Sequence, residues 1–130
     1  MLTIVDNTFL TPYLQQPSKL GADIVIHSAT KYLGGHSDVI AGIVVAKTKE
    51  LAKQIYFNQN GIGAVLSPDA ANLIRRGIQT LAVRMDRHLS NTKKIVDFLA
   101  KRQEIKKIYY PGLPKTKDYE IARQEVNGFG

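Results

Sequence analysis

Asp23-Ile24-Val25-Ile26-His27-Ser28-Ala29-Thr30-Lys31-Tyr32-Leu33-Gly34-Gly35-His36-Ser37 decides how the rest of the chain is read. An apolar run ends in two hydroxyl side chains, then a lysine, then a glycine-rich turn. Ala22–His27 is apolar on both faces, the pattern of a strand in a parallel sheet covered on both sides. A residue just past the carboxyl end of such a strand stands where open α/β sheets bind ligands. The Lys31 amine can condense with an aldehyde cofactor, and the flanking Ser28 and Thr30 hydroxyls can hold a phosphate. A lone lysine after a strand is ordinary surface. The flanking hydroxyls and the Gly34-Gly35 turn single this one out.

Toward the N-terminus, Leu2-Thr3-Ile4-Val5-Asp6-Asn7-Thr8 takes a second apolar run into a carboxylate. Asp6-Asn7 reads either as a turn-forming pair after a strand or as an acid placed against a ring nitrogen. A lysine for an aldehyde, an acid for a pyridine nitrogen and donors for a phosphate are the parts of a pyridoxal 5'-phosphate (PLP) site. A buried carboxylate beside the pyridinium keeps that ring protonated and a better electron sink. Thr8 orients Asp6 or the ring, or else packs. His27, His36 and His88 lack metal-ligand spacing and have no acidic cluster near them, and His36 reads as structural. Met85, Tyr109 and Tyr110 read as core.

Leu2–Asp6 is the first predicted strand, and a connection with a short helix, Pro17 in its first turn, follows Thr11-Pro12. Ala22–His27 is the second strand. Val39–Ala46 is the third, with Gly42 at a bulge or close contact. Lys49–Asn60 reads as a helix. Ser67-Pro68-Asp69 is a helix start: hydroxyl cap, proline at the first position, acid in the first turn. Ala70, Leu73, Ile74 and Ile78 continue it at helical spacing. A break falls at Gly77–Thr80. A second helix then carries Leu81, Met85, Leu89, Ile95, Phe98 and Leu99 on one face. Ile105–Tyr109 is predicted as a short strand and Tyr119–Val126 as a last helix.

The 130 residues are 44% hydrophobic and contain no cysteine, which excludes disulfides, thiol catalysis and thiolate metal sites. No apolar run approaches the roughly 20 residues that span a membrane, and no signal peptide is visible; a cytoplasmic protein is the expectation. The net charge is +7, from 18 basic and 11 acidic residues. Lys93, Lys94, Lys101, Arg102, Lys106, Lys107, Lys115 and Lys117 fall late and are interleaved with acids. A nucleic-acid surface is the sharp reading of that run, and a solvated helix face is the favoured one. No nucleic-acid and no membrane partner is expected.

The stretch around Lys31 resembles the PLP-attachment signature of the Cys/Met-metabolism enzymes. These are the transsulfuration enzymes: cystathionine γ-synthase, cystathionine γ- and β-lyases, methionine γ-lyase and the O-acylhomoserine sulfhydrylases. The resemblance continues through Val5-Asp6-Asn7-Thr8-Phe9, Thr11-Pro12, Gly61 to Pro68, Arg76-Gly77, Thr80-Leu81 and Tyr110-Pro111-Gly112-Leu113. It covers essentially the whole chain but only part of the family's length. It implies an α/β fold: part of a PLP-dependent transferase (aspartate aminotransferase-like) large domain with a mostly parallel sheet, plus the start of the small C-terminal domain. Residues 1–77 would be the C-terminal half of the large domain, and 78–130 the connecting helix and the small domain's start.

The resemblance assigns Lys31 as the Schiff-base lysine and Asp6 as the partner of the pyridinium, with Thr8, Ser28 and Thr30 at the cofactor. It implies an amino-acid substrate and a homo-oligomer, a tetramer in the family. The implied reaction is elimination or replacement at the γ- (or β-) carbon of sulfur amino acids or acyl-homoserines. Absent are the upstream phosphate loop, the ring-stacking aromatic and inter-subunit arm, and the downstream arginine that grips the substrate carboxylate. Ala70 stands where the family usually has an acid. The expectation is therefore a fragment, and the alternative to an active enzyme is a truncated, non-catalytic remnant.

Overall fold

The computed structural model describes residues 1–114 and 116–129; Lys115 of the basic run lies outside the described residues. β1 (Ile4–Asp6), β2 (Ile24–Ser28) and β3 (Gly42–Ala46) form one sheet in the order β1-β2-β3. β1 pairs with β2 in parallel, Asp6 opposite Ile26. The parallel direction expected from the apolar pattern holds for this pair, whereas β3 runs antiparallel to β2 and makes the described sheet mixed. No crossover helix separates β2 from β3; the chain reverses through Gly35 (φ 73°) and Ser37 (φ 57°) instead. The third strand also starts later than the predicted Val39. Ala41 is taken up by the turn after β2, its carbonyl accepting from Ala29 N and Thr30 N and its N–H donating to Thr30 Oγ1.

Between β1 and β2 lie the short α1 (Thr11–Leu14) and a tight turn over Pro17–Leu20, closed by Gly21 at φ 108°. The helices follow their caps. α2 (Lys49–Ile62) starts at Thr48, whose hydroxyl accepts from Leu51 N, and stops at left-handed Gly63. α3 (Pro68–Ile78) starts at Ser67, whose hydroxyl accepts from Ala70 N at 3.2 Å. The chain breaks over Gln79 and Thr80 before α4 (Leu81–Leu99), as the interrupted pattern predicts. α5 (Lys117–Glu125) is capped by Thr116. Residues 105–110 form no strand, contrary to the sequence expectation, and they pair with none of the three strands. Tyr110 is half-buried with its hydroxyl donating to Phe129 O, but Tyr109 is exposed and not core.

The core is small: Leu14, Ala29, Leu33, Ile74, Leu81 and Met85, with Tyr32, Val39 and Leu89 packed around it. It lies beneath the turn that follows β2. α1, α3 and the first turns of α4 meet there, so the turn bearing Lys31 rests on the best-packed part of the molecule.

Candidate functional site

Asp6 is the last residue of β1 and Ser28 the last of β2, and the parallel register sets these two carboxyl ends side by side. Thr8 joins them. Its hydroxyl accepts from Ser28 N at 2.8 Å and donates to Asp6 Oδ1 at 2.6 Å, and Thr8 N donates to the same oxygen at 3.0 Å. The Thr8 hydroxyl, then its N–H, hold the Asp6 carboxyl below the usual carboxylate range; the His27 ring adds a smaller pull. Both bonds fall on Oδ1, so among the described residues Oδ2 is left to meet a cation. Asp6 is exposed toward a cleft of about 420 Å³ lined by Asp6, Thr8, Phe9, Ser28 and Lys31 among others.

Lys31 follows in a wide turn over Ala29–Leu33, where its backbone leaves helical dihedrals (φ −88°, ψ −125°). The turn closes through Gly34 N to Ala29 O at 2.8 Å and Gly35 N to Lys31 O at 2.7 Å. Lys31 is exposed and borders a second cleft, of about 740 Å³, with Tyr32, Arg84 and His88. A cleft of about 850 Å³ between β3 and α2 is larger, but no titratable side chain among the described residues lines it. Chemistry, not volume, therefore selects the Lys31 side.

Of the five residues singled out from sequence, Asp6, Thr8, Ser28 and Lys31 share one cleft. Thr30 does not line it. Its hydroxyl accepts from Ala41 N at 3.0 Å and donates to Ala41 O at 3.3 Å, holding the approach to β3. A hydroxyl has one proton and two lone pairs, so Thr30 can keep the Ala41 N–H while turning its proton elsewhere.

The support behind the cleft is carried by residues with no local motif of their own. Buried Asn7 donates from Nδ2 to Thr11 O and Gln15 O, pinning Thr11 at φ 61°, an uncommon position for a β-branched residue. His27 is buried, its Nδ1 without a hydrogen-bond partner among the described residues, and burial pushes its pKa down from 6.5. Arg84 bonds to the carbonyl of Tyr32. The sequence signal for such support was the glycine pairing: Gly34-Gly35 and Gly77 mark backbones that approach closely.

The whole chain, residues 1–130, matches the family described as Cys/Met metabolism PLP-dependent enzyme. It is 59% identical over 129 residues to cystathionine beta-lyase of Lactococcus lactis subsp. cremoris (strain MG1363), covering 99% of this chain and 34% of that protein. It is 56% identical over 131 residues to L-methionine gamma-lyase of Fusobacterium nucleatum subsp. nucleatum, covering 99% of this chain and 33% of that one. The crystal structure of cystathionine gamma-lyase from Lactobacillus plantarum complexed with L-serine superposes with a TM-score of 0.97 at 53% identity, over 100% of this chain and 34% of that one. The chain thus spans about a third of the length of the curated relatives it matches.

Proposed function

The chain belongs to the Cys/Met metabolism family of PLP-dependent enzymes, and from that premise we propose that it supplies the lysine and the acid of a PLP site. The reaction is elimination or replacement at the γ- (or β-) carbon of a sulfur amino acid or acyl-homoserine. The observation that carries this reading is that Asp6 and Lys31 line one cleft, with the Asp6 carboxyl held low through Oδ1 and Oδ2 without a hydrogen-bond partner among the described residues. The lyases to which the chain is similar support the substrate class.

These residues fit the cofactor's three handles. Lys31 Nζ would be the amine that holds the aldehyde carbon. Asp6 Oδ2 would accept the pyridine N–H, with Thr8 fixing the carboxylate's orientation. The Ser28 and Thr30 hydroxyls would donate to the phosphate, Thr30 while still accepting from Ala41 N. When bound, PLP supplies an electron sink for negative charge at the substrate's Cα. Lys31, as a free amine, takes the Cα proton and returns it where the leaving group departs. Residues 1–77 are assigned to the large PLP-binding domain and 78–130 to the connecting helix and the start of the small domain. Leu81 and Met85 of that helix pack in one core with Leu14, Ala29, Leu33 and Ile74. A homo-oligomer is the proposed assembly.

The test is to add PLP to the purified chain, fix the adduct with borohydride and map the modified peptide. A single adduct on Lys31, lost in Lys31→Ala, is expected. Adducts scattered over surface lysines in both proteins would refute the site. Turnover is read separately, as ammonia and keto acid released from cystathionine; an adduct at Lys31 without them makes the chain a cofactor-holding piece that does not turn over.

A further inference from the structure

The turn that carries Lys31 is gripped from α4 by one side chain. Arg84 donates from Nη1 to Tyr32 O at 2.8 Å, from Nη2 to Gly77 O at 2.7 Å and from Nε to Thr80 Oγ1 at 3.1 Å. One planar fork thereby gathers three acceptors from three segments: the residue after Lys31, the last turn of α3, and the break before α4. A lysine at this position keeps the charge but has no fixed fork with which to span them. The backbone is shaped around the guanidinium. A Cβ at Gly35, already at φ 73°, would collide with it. A Cβ at Gly77 would sit 2.6 Å from Leu33 O and closer still to Gly34 O, so α3 reaches the turn only because residue 77 is glycine.

We propose that Arg84 is a positioning residue for Lys31. By fixing the Tyr32 carbonyl against the α3–α4 junction, it sets the direction in which the Lys31 side chain leaves the turn. Lys31 O is held by Gly35 N, and the next carbonyl along the chain, Tyr32 O, is held by Arg84. The purpose of the grip rests on the PLP reading above; its geometry does not.

Two readouts on the full chain separate the two ideas. Hydrogen exchange without cofactor is measured for wild type, Arg84→Lys and Arg84→Ala. Borohydride-fixed PLP occupancy of Lys31 is measured for the same proteins. Arg84→Lys is expected to speed exchange in the peptide over residues 29–35 about tenfold, for loss of roughly one charge-assisted bond. The β1–β2 ladder keeps its protection. The share of adduct on Lys31 falls by a similar factor, and added guanidinium restores it in Arg84→Ala. Wild-type protection of the turn in Arg84→Lys overturns the proposal. So does loss of protection throughout the chain, which assigns Arg84 to general stability. A wild-type chain that forms no Lys31 adduct refutes the PLP reading, and exchange in the turn then decides the grip by itself.

Discussion

At the residue scale, the Thr8 hydroxyl works in two directions at once: it receives the Ser28 N–H and gives its only proton to Asp6. Thr8→Val removes that proton and the largest cause of the lowered Asp6 pKa, so the Asp6 pKa is expected to rise toward 3.8, while Thr8→Ser keeps it low. A carboxyl-resolved NMR titration checks both. His27 gives the opposite handle on pH. Burial lowers its pKa below 6.5, so the unfolded chain takes up the proton first as acid is added. Stability is therefore expected to fall as the pH drops below 6.5, and His27→Gln to flatten that fall; urea midpoints across this range measure it. That Asp6, Thr8, Ser28 and Lys31 come to one cleft was legible because the signal is local, polar side chains at or just past the end of an apolar run. Arg84 was not, because its partners in the turn and at the end of α3 are main-chain carbonyls, which leave no mark in a side-chain pattern. The hold of Thr30 on Ala41 was hidden for the same reason.

At the scale of elements, two substitutions on α3 separate stability from site geometry. Ser67→Ala deletes the cap and is expected to cost about 1 kcal/mol, with Lys31 trapping by PLP unchanged. Gly77→Ala forces a methyl against Leu33 O and Gly34 O; it is expected to cost about 1–3 kcal/mol by overpacking and to lower Lys31 trapping as well. Urea unfolding beside adduct mapping tells them apart. The helix starts at Ser67 and the break before α4 were readable because caps and glycines act on their own neighbours. Strand direction was not: β3 has the composition of its parallel neighbours, and only the glycine-rich reversal makes it antiparallel. Residues 105–109 carry strand-like residues, but composition does not say where a segment lies, and they pair with neither outer strand of the described sheet, β1 or β3.

At the scale of the whole molecule, strands apolar on both faces imply cover on both faces. Here Ile4, Ile26, Val44 and Val45 remain exposed, and on α2 Tyr56, Phe57 and Ile62 do too. Apolar surface spread over sheet and helix in this way drives association. The chain is expected to bind an environment-sensitive apolar dye and to sediment faster as its concentration rises; a dye-silent, concentration-independent monomer would contradict this. Its net charge of +7 slows that association at low salt and less so at high salt. The side-by-side carboxyl ends of β1 and β2 have a consequence for how this chain tolerates lengthening. The separation of Asp6 from Lys31 is stored in a backbone ladder and one turn, not in the residues strung between the strands. A residue inserted beside Gly21, where an added Cβ would meet no atom within 4 Å, is absorbed by the connection and leaves acid and amine facing the same cleft. A residue inserted within Ile24–Ser28 turns every following side chain of the strand to the opposite face, and carries Lys31 away from the acid with it.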